Sequence, residues 1–126
     1  YEQVGRGETV DVYAVKNEAA SAVQLLAVNH NSLLHDIEAQ TVRVCLRTEK
    51  PCAAAEICRV DDTHANALRV WQQMGEPAYL QAGELDALRA ASALRREAQA
   101  FANTSDGVTL GFDLPPMGTA LVTVYF

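Results

Sequence analysis

Apolar and polar residues alternate with a period of two along most of the chain. Val10, Val12, Ala14 and Lys16 stand against Asp11, Tyr13 and Val15, which predicts a strand over Val10 to Lys16. A loop at Asn17-Glu18-Ala19-Ala20-Ser21 leads to a second strand, Ala22 to Asn29, and the two form a hairpin. In the second, the run Leu25-Leu26-Ala27-Val28 predicts burial on both faces. Gln40 to Arg47 alternates cleanly, with Val42, Val44 and Leu46 on one side. Thr48-Glu49-Lys50-Pro51 turns the chain, and Ala54 to Val60 returns as a strand. Further on, Val108, Leu110, Phe112 and Leu114 alternate against Thr109, Gly111 and Asp113. Ser105-Asp106-Gly107 reads as a hairpin turn before them, Pro115-Pro116-Met117-Gly118 as a sharp turn after them, and Ala120 to Phe126 as the last strand. Seven or so short strands at regular turn spacing predict a mostly β fold, an antiparallel β-sandwich.

The period changes in one connection. Ala67, Val70, Trp71 and Met74 fall at i, i+3, i+4 and i+7, the stripe of a short helix. Gly75 follows as a left-handed cap, and Pro77 prevents continuation. Pro77 to Leu80 is a connector. Ala82 to about Ser92 reads as a second helix with Leu85 and Leu88 inward. Two short helices are thus inserted in one connection of the sandwich.

Between the Ala54–Val60 strand and the first helix lies Asp61-Asp62-Thr63-His64-Ala65-Asn66, the densest run of chemistry in the chain. Asp61, Asp62, Thr63 and Asn66 can all cap the free N–H groups of a first helical turn. The same side chains could ligate a metal, or His64 could act as a base. Such residues more commonly hydrogen-bond their own backbone to hold a tight connection. The spacing matches no metal signature, so no metal site is assigned. His30 and His35 read as loop residues.

Composition narrows the function classes. A chain of 126 residues suits one domain, residues 1–126, and buries about two-thirds of its unfolded surface. The net charge of −6, with no basic run, argues against a nucleic-acid partner. No apolar run reaches the length of a membrane span. The first residues lack signal-peptide character and an initiator Met, which points to a fragment or a processed chain. Three Cys are too few for a disulfide-framed scaffold. Cys45 and Cys58 would meet only if a very tight turn contained Pro51, so no disulfide is expected.

Val60-Asp61-Asp62-Thr63-His64-Ala65-Asn66-Ala67, then Trp71, Met74, Gly75 and Pro77, resembles the C-terminal region of glycoside hydrolase family 39, which contains β-xylosidases and α-L-iduronidases. The resemblance continues through Tyr79-Leu80, the helix from Glu84 to Ser92, and Phe112-Asp113-Leu114-Pro115-Pro116-Met117-Gly118-Thr119-Ala120-Leu121-Val122. It covers about residues 55 to 125 and, more weakly, the strands from Val10. It also settles a conflict of patterns: Leu94, Ala98 and Phe101 could extend the helical stripe, whereas the family pattern ends the helix near Ser92 and starts a strand near Glu97.

The resemblance implies a β-sandwich beside a (β/α)8 barrel and retaining glycoside hydrolysis by two carboxylic acids about 5 Å apart. In the family both are Glu on the barrel. No catalytic residue and no cofactor can therefore be assigned to this chain. Glu76 belongs to a helix-ending turn, and Glu84 to a first helical turn, where it complements the dipole. The first expectation is a non-catalytic accessory domain that packs on the barrel of the same parent chain, with Asp61, Asp62, His64, Asn66 and Trp71 as structural-corner or interface residues. The second is a stand-alone binding module for xylan-like saccharides, with Tyr13 and Tyr79 as contacts. Trp71 lies on an apolar helical stripe, which favours packing over sugar stacking. A third, a small Cys/His or Asp/His enzyme, finds no nucleophile elbow and no Cys motif in the sequence.

Overall fold

The computed structural model describes residues 2–6, 8–31 and 36–126. Its elements in chain order are β1 (Glu2–Arg6), β2 (Val10–Asn17), β3 (Ala22–Asn29), β4 (Gln40–Arg47), β5 (Ala54–Val60), α1 (Ala67–Gln73), α2 (Ala82–Ser92), β6 (Glu97–Ala98), β7 (Phe101–Thr104), β8 (Gly107–Leu114) and β9 (Thr119–Tyr125). The fold is mostly β, with two antiparallel sheets and both helices in the β5–β6 connection.

The larger sheet has the strand order β1-β2-β3-β9-β5-β6, and the smaller β4-β8-β7. Side chains alternate across each strand, so every core-facing strand contributes one of its two faces. The larger sheet supplies Val12, Leu25, Ala27, Ala55, Ile57, Ala120, Val122 and Val124. The smaller supplies Val42, Val108, Leu110, Phe112 and Leu114. Leu25, Val122 and Val124 are wholly inaccessible. Burying an aliphatic side chain of this size is worth roughly 2 kcal/mol, so this layer is the main source of stability.

Turn chemistry sets the registers. Thr104 pairs with Gly107, so the β7–β8 hairpin turns through Ser105 and Asp106, and Gly107 is already in the strand. Gly107 has a φ of +143°, and a Cβ there would lie 1.9 Å from the Leu46 carbonyl oxygen. Only glycine lets β4 approach β8 at this point. Asn29, fully buried at the end of β3, donates from Nδ2 to the carbonyls of Glu38, Leu114 and Pro115. One side chain thereby ties β3 to the turn that leaves β8.

Three expectations need correction. β3 is not buried on both faces: Leu25 is inaccessible, but Leu26 is 39% exposed, because nothing in the described chain covers the outer face of the larger sheet. Leu85 and Leu88 do not face a core. Leu85 is 38% exposed and Leu88 is half-buried, and neither helix contains a buried residue. The helices pack mainly on each other. β1 was not foreseen; it adds an edge strand antiparallel to β2, with an irregularity between Gln3 and Gly5. The end of α2 at Ser92 and the strand at Glu97 stand as the family pattern has them. Cys45 and Cys58 lie in different sheets, and all three cysteines are free.

Candidate functional site

The corner after β5 is built around one carboxylate. Asp61 is buried, and its Oδ1 accepts from the Thr63 N–H (2.8 Å), the Thr63 hydroxyl (2.9 Å) and the His64 N–H (2.9 Å). His64 Nδ1 lies 2.9 Å from both carboxylate oxygens, so that nitrogen carries the ring proton. The Asp61 N–H in turn donates to the His64 carbonyl. Burial pushes the Asp61 carboxyl up, but the hydrogen bonds from Thr63 and His64 outweigh it, and the group lies below the usual carboxylate range.

Ala65 then takes a φ of +51°, reversing the chain into α1. Asn66 is the N-cap. Its Oδ1 accepts from the Arg69 N–H (3.3 Å), and its Nδ2 donates to the Asp61 carbonyl (3.2 Å). A single side chain thus starts the helix and fastens it to the strand end. At the far end, Gly75 is left-handed (φ +86°), as the helix-stop pattern predicts. Trp71 is half-buried, and its indole N–H donates to the Pro77 carbonyl (3.2 Å), which folds the connector back on α1. Glu76 is exposed in the turn after the helix. The Glu84 carboxylate accepts from the Gln81 N–H (2.8 Å) at the start of α2, a capping role.

The predicted residues separate in space. Asp62, His64 and Asn66 border a cleft of about 450 Å³ between the corner, α1 and the segment that follows α2. Trp71 and Tyr79 do not line it. Tyr13 lies on the outer face of the larger sheet, and Tyr79, in the connector between the helices, is 93% exposed. His30 sits at the end of the β2–β3 hairpin with Nε2 3.1 Å from Asp11. His35 lies outside the described residues. Among the described residues, no three His, Cys, Asp or Glu side chains are grouped to hold a metal ion, and no helix is long and apolar enough to cross a membrane.

Sequence reasoning missed two surfaces. One is an apolar row on the outer face of the larger sheet. The registers Tyr13↔Leu26, Leu26↔Leu121 and Cys58↔Leu121 place these four residues in one cross-strand row. Val15, 42% exposed, joins Tyr13, Leu26 and Leu121 around a shallow hollow. The signal was present in Leu25-Leu26, two large apolar residues in succession within an alternating strand. The other is the charge lining of the cleft, where Arg59 meets Glu97 at 2.8 Å and Arg69 meets Asp62 at 2.6 Å. Those pairs join residues far apart in sequence or across a turn, so they needed the tertiary structure.

The profile of the glycosyl hydrolases family 39 matches residues 3–108. The chain belongs to that family. It is 31% identical over 120 residues to a β-xylosidase of Caldicellulosiruptor saccharolyticus, an alignment that takes in 94% of this chain and 24% of the relative. Among solved structures, it resembles a monomeric β-xylosidase from Caulobacter crescentus CB15, with a TM-score of 0.66, 16% identity, and 95% of this chain against 26% of the other. A family 39 enzyme from Xanthomonas axonopodis pv. citri gives a TM-score of 0.64 at 18% identity, covering 90% of this chain and 25% of its own. The chain thus spans about a quarter of the length of the family members it matches.

Proposed function

We propose that this chain is a C-terminal, non-catalytic accessory domain of a β-xylosidase-like glycosidase, and that the outer face of its six-stranded sheet packs on the (β/α)8 catalytic barrel of the same polypeptide. The observation that carries this reading is the exposed apolar row on that face. Leu26 and Leu121 are 39% and 36% exposed at the centre of a well-formed sheet. A β-sandwich normally turns polar residues outward, so an apolar row at the centre of the outer face is a surface awaiting cover. The relatives supply the missing mass, since about three-quarters of their length lies outside the match. A barrel needs about 250 residues, which that remainder accommodates.

The catalytic acids belong, on this reading, to the barrel, and the corner at Asp61 is structural. The Asp61 carboxylate is turned on Thr63 and His64 rather than toward an open reactive position. The test is a Leu26→Lys, Leu121→Glu double variant, whose opposite charges face each other across β3 and β9, made in the isolated chain and in the complete polypeptide. The isolated chain should melt only slightly lower, because neither side chain belongs to the core. The complete polypeptide should lose clearly more melting temperature than the isolated chain, and lose activity on aryl β-xylosides at elevated temperature. A drop in the complete polypeptide no larger than in the isolated chain would overturn the packing assignment.

A further inference from the structure

The cleft between the Asp61 corner and the helix pair is separate from the outer-face row proposed above to meet the barrel, and it lies on the other side of the sheet. Glu97 pairs directly with Ile57, a core residue, so Glu97 is on the inner face, and Arg59 is two residues along the same strand. The smaller sheet does not extend over this end, and the helices roof it instead.

We propose that this cleft binds a small hydroxylated carboxylate, the chemistry of a sugar acid, with Arg95 as its charge contact. Three arginines (Arg59, Arg69 and Arg95) and two carboxylates (Asp62 and Glu97) line it, an excess of one positive charge on a chain whose net charge is −6. Arg59 and Arg69 are each held by a carboxylate. Arg95 has no hydrogen bond or ion pair among the described residues. Its planar fork of donors is therefore available, and that fork matches a carboxylate bidentately. His64 adds a second donor or acceptor, because Asp61 engages Nδ1 and leaves Nε2 without a described partner.

The remaining lining suits the rest of such a ligand. Asp62 uses Oδ2 for Arg69, and Glu97 uses Oε2 for Arg59, so each keeps a second oxygen to accept from a ligand hydroxyl. Val70, Ala90 and Ala91 give a low apolar wall against which the C–H face of a sugar ring can lie. The volume of about 450 Å³ lies in the ordinary range of small-ligand sites and exceeds the need of a bare anion.

The experiment is calorimetric titration of the 126-residue chain with glucuronate, xylose and inorganic phosphate, repeated on Arg95→Ala, Arg95→Lys and the control Arg43→Ala. Arg95 and Arg43 are both exposed, so each variant should keep the parent fold. Glucuronate should bind most tightly. Arg95→Ala should weaken it about tenfold, the loss of one charge-assisted contact, with Arg95→Lys recovering part of the loss and Arg43→Ala changing nothing. Phosphate binding as tightly as glucuronate would overturn the sugar-acid assignment. Xylose binding as tightly would overturn the charge contact. Absence of glucuronate binding, or equal binding by parent and Arg95→Ala, would overturn the site.

Discussion

Asp61 accepts from four donors on two neighbouring residues, Thr63 and His64. Replacing it with Ala leaves those donors, half of them backbone N–H groups, without their acceptor at a part-buried corner. Asp61→Ala should therefore lower stability by about 2 kcal/mol, read by urea unfolding. His64→Ala removes one donor and Asn66→Ala removes the helix cap, and each should cost about 1 kcal/mol. A pH dependence follows from the same carboxylate. Its folded pKa is held below the unfolded value, so its contribution is complete above the unfolded value, near pH 4, and is lost as pH falls through the folded value. A plot of Tm against pH should thus fall less steeply below about pH 4 in Asp61→Ala than in the parent. At this scale the sequence was informative about type and weak about partner. The capping capacity of Asp61, Thr63 and Asn66 was legible from their short polar side chains. That Asp61 holds His64 while Asn66 caps α1 depends on the left-handed Ala65, which no propensity predicts.

At the scale of elements, the strands were legible because alternation is enforced by burial on one side. Val42, Val44 and Leu46, and Val108, Leu110, Phe112 and Leu114, face the core as their period requires. The helices were legible in extent but not in surroundings. The stripe Ala67, Val70, Trp71 and Met74 marks a face that packs, and sequence periodicity cannot say whether it packs on a sheet or on another helix. Here it is the second helix, and both remain incompletely covered. The helix pair should accordingly open well before the sandwich. Hydrogen exchange on the isolated chain should show amides of α1 and α2 exchanging at least about a hundredfold faster than those of β3 and β9. Truncations should divide in the same way. Leu25→Ala, in the sealed core, should cost about 3 kcal/mol, and Leu68→Ala, 58% exposed on α1, less than about 0.5 kcal/mol.

At the scale of the molecule, a sequence of alternating strands cannot distinguish an outer face meant for water from one meant for another domain. Leu26 read as a buried residue, and in the chain by itself it is exposed. The two statements are reconciled if the face is covered in the longer polypeptide. Cysteine chemistry tests this directly. Cys58 stands beside Leu121 in the apolar row of the outer face, Cys45 is exposed on the smaller sheet, and Cys52 is buried. Burial pushes the Cys52 thiol up, while its hydrogen-bonded contacts with Ala54 and Tyr125 pull the other way, and the net is a raised pKa that keeps it slow. Maleimide labelling, resolved by peptide mass mapping, should modify Cys45 at similar rates in the isolated chain and in the complete polypeptide. Cys58 should label in the isolated chain and be protected by about tenfold or more in the complete polypeptide. Equal labelling of Cys58 in both would mean that the outer sheet face is open to solvent, and would contradict the packing of this domain on a catalytic barrel.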